Sequence, residues 1–260
     1  MIKIVQYNDL HLEHNYPGQY FHPGEGDILV LAGDILCARH LKTDGHLGDI
    51  YRKFIKECSE NFTEVIYIQG NHDAYSFNYE GAFRTLKELV PENFHVLENE
   101  TFKFRDINFI CCTLWTNFFN ENPIQMMDAQ MYMNDYKSIR ITSNYRKLNT
   151  NDVLRFHKNS FAYIKEKVEE LKNERVFVVT HHSPTLRAIA PEFKTSPLNG
   201  SFCSDLDNFI LDSPNIKNWA FGHVHTPFDF MIGECRMTCN PRGYPHEDTG
   251  FNNDFFIEIE

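Results

Sequence analysis

The sequence predicts an α/β fold of layered sheets and helices, and three observations carry that expectation. Ile28-Leu29-Val30-Leu31 and Val65-Ile66-Tyr67-Ile68 are short, continuously apolar runs, which suits strands of a sheet buried on both faces. Between them Leu47, Ile50, Phe54 and Cys58 recur at helical spacing with Tyr51 and Ile55 alongside, so a helix covers one face. This strand-helix-strand alternation is the signature of a layered α/β fold.

Taken in order, Ile2 to Gln6 reads as the first strand, followed by a polar loop with Pro17, Gly18, Pro23, Gly24 and Gly26. Ile28–Leu31, the helix around Leu47 to Cys58, and a strand over Val65–Gln69 come next. Ala82, Phe83, Leu86, Leu89 and Val90 predict a short helix ended near Pro91. Phe94–Leu97, Thr101–Arg105 and Ile107–Thr113 are strand-like and close together, which predicts antiparallel pairing around Asp106. Leu114 to Asn149 shows no clear period. A stretch this long without structure in a compact domain is usually functional or carries an insertion, and 114–149 is read as a substrate-side insertion. From Asn151 a helix is clear, because Leu154, His157, Phe161, Ile164, Val168 and Leu171 step by three and four. Asn151 or Asp152 is the expected cap. Val176–Thr180 is a buried strand, Ser183–Phe202 a Pro-rich loop, Asp205–Leu211 a helix and Asn218–Phe221 a strand. Phe228–Ile232, Cys235–Cys239 and Asp254–Ile259 read as antiparallel strands.

At 260 residues and 42% hydrophobic composition, the chain fits one large α/β domain. Lys and Arg number 25 against 36 Asp and Glu, so the formal charge is −11. That argues against a broad basic surface for duplex nucleic acid, since phosphate contacts need Lys and Arg. The seven cysteines are odd in number and form no CxxC, which reads as a reduced chain. The apolar start, Met1 to Val5, is too short for a signal peptide, and no run of about 18 apolar residues predicts a membrane span. The expected location is cytoplasmic.

The chemistry gathers just past the apolar runs. Asp9-Leu10-His11, Gly33-Asp34, Gly70-Asn71-His72-Asp73, His181-His182 and Gly222-His223-Val224-His225 each follow a predicted strand. Asp9 and His11 are two apart, so their side chains can point the same way, and His223 and His225 repeat that spacing. Gly33 carries no side chain and allows a tight turn off its strand into Asp34. Together, and in this order, these segments resemble the calcineurin-like metallophosphoesterases over nearly the whole chain. Two further segments, Leu114-Trp115-Thr116 and Asn240-Pro241-Arg242-Gly243-Tyr244, resemble a bacterial and phage subgroup of that superfamily. Asn8 stands where serine is frequent, and no ligand is lost.

The resemblance implies a four-layer α/β/β/α sandwich of two mixed sheets flanked by helices, formed by residues 1–260 as a single domain. It implies two divalent metal ions, one on Asp9, His11, Asp34 and His225, the other on Asp34, Asn71, His181 and His223, with a hydroxide between them. Mixed imidazole and carboxylate ligands suit manganese, iron, zinc, nickel or cobalt. His72, next to Asn71, is the candidate general acid for the leaving alkoxide. Asp73 either orients that imidazole or supports the loop. His182 neighbours His181, and strand alternation lets one of the two face an ion; the family pattern favours His181.

Other histidines have plainer roles. His157 falls on an apolar helix stripe and is expected to be buried and hydrogen-bonded rather than a ligand. Arg39 and His40, just past the Asp34 loop, Trp115 and Arg242 are candidates for substrate contact, whereas at least Phe118 or Phe119 is expected to pack its loop onto the domain. The function read from the sequence is metal-dependent hydrolysis of a phosphate ester, with a small phosphodiester or nucleotide as first choice. A DNA or RNA nuclease, which would make nucleic acid a substrate, is the alternative enzyme. A non-catalytic metal scaffold is the alternative of another class.

Overall fold

The computed structural model describes residues 1–14, 20–142 and 145–260. Pro17 and Gly18 of the first predicted loop, and two positions of the 114–149 stretch, lie outside the described residues. Among those described, the strands form two mixed sheets. The first contains β1 (Ile2–Tyr7), β2 (Gly26–Ala32), β3 (Phe62–Ile68) and β4 (Phe94–Leu97), all parallel, with β11 (Phe256–Ile259) antiparallel on the β1 edge. The second runs β5 (Glu100–Phe104), β6 (Ile107–Cys112), β7 (Arg175–Thr180), β8 (Ile216–Ala220), β10 (Cys235–Cys239), β9 (Phe228–Ile232). There β6, β7, β8 and β10 are parallel, and β5 and β9 are antiparallel edges.

Side-chain alternation along each strand stacks these sheets into layers. Ile4, Ile28, Val30, Ile66 and Ile68 of the first sheet meet Phe109, Cys111, Phe177 and Val179 of the second in one core between the sheets. The opposite pleat of the first sheet, Val5, Tyr7, Leu29, Leu31 and Tyr67, packs under the helix His46–Asn61, through Tyr51, Phe54 and Cys58, and under the helix Tyr79–Leu89. The outer pleat of the second, including Ile110, Val176 and Val178, receives Ile164 and Val168 of the helix Thr150–Glu170. The layers run helix, sheet, sheet, helix.

Three expectations change in detail. Phe94–Leu97 does not pair with its neighbours in sequence. It joins β3 in parallel, and the chain then crosses to the other sheet through Asn99, whose φ is 52°. Only β5 and β6 make the antiparallel hairpin. In the tail, β10 is antiparallel to β9 but parallel to β8, and β11 returns to the first sheet. The long helix begins at Thr150, and its cap is Asn149: Asn149 Oδ1 accepts from Asp152 N–H at 3.0 Å, and the Asp152 carboxylate accepts from Asn149 N–H at 3.1 Å.

The 114–149 stretch is not structureless. Phe118 to Glu121 form a left-handed turn, with φ between 50° and 64°. Asn122 then caps the helix Pro123–Tyr132, whose first residue is the proline that suits that position. Phe118 is fully buried, as a packing aromatic should be. No helix among the described residues is long and apolar enough to cross a membrane.

Candidate metal centre and active site

The parallel strands of both sheets end at one edge, and the polar segments follow those ends. Asp9 and His11 lie past β1, Asp34 past β2, Asn71 and His72 past β3, His181 past β7, and His223 and His225 past β8. Ligands of open α/β sheets gather outside such carboxyl ends. The turns are sharp. Asp9, His11, Asp34, His223 and His225 all have left-handed φ, between 45° and 70°, a conformation that is uncommon for residues with side chains and that clusters at functional sites. Two glycines permit the crowding. A Cβ on Gly33 would collide with the His181 ring, and one on Gly70 with the Asp34 carboxylate.

Six of the seven residues expected as ligands fall into two groups, and Asn71 lies beside the second. Asp9, His11 and His225 offer one cluster of donor atoms; Asp34, His181 and His223 offer another, each within 4.8 Å. Asp9 Oδ1 is 3.3 Å from His225 Nε2, and Asp34 Oδ2 is 3.4 Å from His181 Nε2 and 4.0 Å from His11 Nε2. Asn71 Oδ1 is 3.0 Å from His181 Nε2, and its amide donates to Asp135 Oδ1 at 2.8 Å. His182 belongs to neither group: it stacks on Trp115 with 4.8 Å between ring centroids.

Hydrogen bonds fix which imidazole nitrogen is left over. His181 Nδ1 donates to Ala32 O at 2.9 Å, His11 Nδ1 to Glu13 Oε1 at 3.0 Å, and His225 Nδ1 to Glu247 Oε2 at 2.7 Å. Each Nε2 is thereby the nitrogen left to face a ligand, and it becomes a lone-pair donor when a cation takes its proton's place. His11 Nε2 and His225 Nε2 face each other at 3.1 Å, and His223 Nε2 is buried without a partner. Converging lone pairs beside two buried carboxylates are what a divalent cation satisfies, so the residues present fit such ions. The charges agree. Burial opposes ionisation of Asp34, yet the His181 and His72 imidazoles outweigh it and hold its carboxyl well below the usual range. Burial, then His182 and His181, push His223 far below an ordinary histidine, keeping it neutral as a ligand must be.

His72 stands beside both groups. Its backbone N–H donates to Asp34 Oδ1 at 2.7 Å, its Nδ1 faces Glu13 Oε1 at 3.2 Å, and its Nε2 faces the Tyr244 hydroxyl at 3.0 Å. Its ring stacks on Tyr75 with 3.9 Å between centroids. Asp73 does not face this imidazole. Its carboxylate accepts from Gly70 N–H at 2.7 Å, Asp34 N–H at 3.0 Å, Leu36 N–H at 3.4 Å and the Tyr67 hydroxyl, so it supports the loop. Burial and the Asp34 charge push Asp73 up to about 7 against those donors.

Glu13, Tyr244, Asp135 and Glu247 escaped the sequence reading. Glu13 had a signal, since it continues the two-residue spacing of Asp9 and His11. Tyr244 lies in the Asn240–Tyr244 segment, which docks through Arg242 N–H on Asn8 O at 3.2 Å and Gly243 N–H on Asp9 O at 2.9 Å. Asp135 and Glu247 had none.

A cavity of about 660 Å³ opens onto this edge, lined at its inner end by Asp34, Asn71, His72, His223, His225 and Tyr244. The four candidates for substrate contact are not among its lining residues. Arg39 donates from Nε to His40 Nε2 at 2.9 Å on the surface. Trp115 is 1% exposed and donates to the Tyr79 hydroxyl at 3.1 Å. The Arg242 guanidinium lies over the Phe21 ring at 5.1 Å.

Residues 2–227 match the family model described as calcineurin-like phosphoesterase. The chain belongs to that family. An uncharacterized protein of Acanthamoeba polyphaga mimivirus is 28% identical over 239 residues, 82% of each chain. Among solved structures, a phosphopantetheinyl hydrolase from Mycobacterium tuberculosis aligns with a TM-score of 0.67 at 16% identity, over 94% of this chain and 90% of that one. A putative 5'-nucleotidase from Staphylococcus aureus gives 0.52 at 16% identity, over 94% of this chain and 49% of its own. At these identities the two structures show a shared fold. Membership of the calcineurin-like family makes this chain a metal-dependent hydrolase of phosphate esters.

Proposed function

We propose that this calcineurin-like phosphoesterase hydrolyses a small phosphodiester or nucleotide, using two divalent cations held by the seven ligands and His72 as general acid. When bound, such ions supply a water that ionises near neutral pH and positive charge for the phosphate oxygens. The observation that carries the reading is His72 at the inner end of the cavity, beside Asp34, with Nδ1 on Glu13.

Hydrolysis breaks the bond from phosphorus to the leaving oxygen, and that oxygen must gain a proton. Glu13 favours a proton on His72 Nδ1, so the proton to be given is the one on Nε2, which faces the cavity beside the Tyr244 hydroxyl. Asp34 accepts from the His72 backbone N–H, while Tyr75, Glu13 and Tyr244 hold the imidazole itself. Asn71, whose amide is tied to Asp135, is fixed in orientation with its oxygen inward. Residues 114–149 serve as a substrate-side insertion, since Tyr132, Met133 and Asn134 line the cavity. A bounded cavity and a formal charge of −11 both favour a small ester over a polymer tracked by a basic groove. Of the two structural neighbours, the putative 5'-nucleotidase is named for a small ester.

The test is a substrate panel on purified protein with added manganese: aryl and alkyl monoesters, linear and cyclic diesters, and single- and double-stranded nucleic acid. Turnover of small diesters with weak salt dependence of KM is expected. Activity confined to long DNA or RNA and falling steeply with salt makes the chain a nuclease. Metal binding with no turnover of any member makes it a scaffold.

A further inference from the structure

The walls of the cavity beyond the ligand edge restrict what the phosphate can be attached to. About 660 Å³ is room for a drug-sized group, well beyond a phosphate alone. The wall facing the ligands comes from the loop after His181, from the end of the helix Pro123–Tyr132 and from the turn after β8. It presents Met133, Ile189, Phe193, Leu198, Phe202 and Val224. Phe202 lies flat against the His223 ring with 4.6 Å between centroids, so this apolar surface starts at the ligands themselves. Phe193 is 54% exposed at the rim, an apolar side chain left partly in water beside the opening.

The charged residues of the wall are equally selective. Glu192, Glu247 and Asp248 line it, and among the described residues no Lys or Arg does. Proteins that hold a second phosphate, or the backbone of a nucleic acid, bring Lys or Arg to it. Glu247 is held by His225 Nδ1 at 2.7 Å, but a second phosphate would still face Glu192 and Asp248 with no Lys or Arg in the described wall to offset them, at a cost that grows as water is expelled. The phosphate undergoing hydrolysis escapes this penalty because it sits at the inner end, where the ligands gather.

We infer that the substrate is a single-phosphate ester whose second group is apolar and carries no further anionic charge, seated against Leu198, Phe202 and Met133. This rests on the phosphoesterase reading and narrows it: nucleoside polyphosphates and oligonucleotides are excluded, and alkyl or aryl diesters are included.

The experiment uses 4-nitrophenyl diesters that share one leaving group and differ in the retained arm: methyl, ethyl, octyl and 2-phosphonoethyl. With manganese-loaded protein, kcat/KM should rise at least about tenfold from methyl to octyl, which requires burial of only about two methylenes at the usual transfer energy. The phosphonoethyl ester should fall about tenfold below ethyl. Phe193→Ser and Leu198→Ser should each shrink the octyl-to-methyl ratio, and Phe193 is exposed enough that its replacement leaves the fold intact. Glu192→Lys should raise turnover of the phosphonoethyl ester severalfold. Calorimetry adds a readout apart from turnover: octyl methylphosphonate should bind chelator-treated protein with a negative heat-capacity change, and methylenediphosphonate should not bind. Equal turnover of methyl and octyl esters, or preference for the phosphonate arm, overturns this inference while leaving the phosphoesterase reading in place. Failure on all four with manganese, zinc or iron while another member of the substrate panel turns over overturns this inference alone; failure on these and on the whole panel removes the proposed catalytic function, and this inference with it.

Discussion

The Glu13 carboxylate and the His72 imidazole meet at 3.2 Å through Oε1 and Nδ1, and the same oxygen accepts from His11 Nδ1 at 3.0 Å. One carboxylate oxygen thus sets the tautomer of a metal-ligand candidate and of the general-acid candidate together. Carboxylates in this position are commonly worth about 10–100-fold in affinity or activity. Glu13→Ala should lower kcat on an alkyl ester within that range. At saturating metal, where its hold on His11 no longer limits loading, its remaining effect passes through His72, so adding it to His72→Ala should cost little more. Losses that multiply in the double variant would show that Glu13 acts independently of His72.

His72→Ala itself should retain the metals and slow hydrolysis of an alkyl diester by about a hundredfold or more. A nitrophenolate departs without a proton, so its loss should be much smaller. Metal content by elemental analysis, with kcat on the two leaving groups, checks both halves. Equal losses would leave the imidazole a positioning role only.

Asp34 lies between the donor groups, 3.4 Å from His181 Nε2 and 4.0 Å from His11 Nε2. Two cations held a few ångströms apart repel each other, and a shared carboxylate offsets that repulsion. Asp34→Asn should therefore lower the metal content from about two ions per chain to one or fewer and abolish turnover. Fully active native protein with no more than one ion per chain would refute the shared site.

His157 gives a pH dependence separate from the metal centre. It is 3% exposed on the long helix, and its Nδ1 faces Trp115 O at 3.4 Å. Burial pushes its pKa down from 6.5 to about 4, with the Trp115 and Leu114 carbonyls opposing. The folded chain keeps this ring neutral, while the unfolded chain takes up a proton below 6.5. The stability contribution is present above that value and is lost as the pH falls toward 4. Between neutral pH and about pH 5 the loss is about 2 kcal/mol. Urea unfolding of chelator-treated protein should show it, and His157→Gln should flatten the dependence by that amount.

Most of the framework was legible because its strands are short apolar runs and its two longest helices have periodic stripes. The clustering of the candidate ligands was legible for a related reason: each follows a strand end, and local spacing at Asp9/His11 and His223/His225 carries through to the groups they form. What escaped depended on distant packing. Phe94–Leu97 looks like the strands that follow it, and only the crossing at Asn99, which carries β5 and β6 to the second sheet, separates it from them. The helix Pro123–Tyr132 lacks a buried stripe, since Ile124, Met127 and Met131 are exposed, so periodicity was silent and the cue lay in the Asn122-Pro123 cap. Trp115 and Arg242 looked suited to substrate, yet Trp115 bonds Tyr79 inside the domain and Arg242 covers Phe21. No local pattern marks Asp135, 64 residues from the Asn71 amide it holds.

The shared edge of the two sheets also bears on how long the molecule lasts. An ion gripped by His11 and His225 clasps residues 214 positions apart, one from each sheet. Such a clasp works against the entropy of a very large open loop and adds nothing to the unfolded chain. Resistance to unfolding then follows the free ion supply, by about 1.4 kcal/mol for each tenfold once the site is saturated. With His11 and His225 as ligands, the same polypeptide would be easier prey for proteases in scarcity, and its abundance, as well as its turnover, would track the availability of metal.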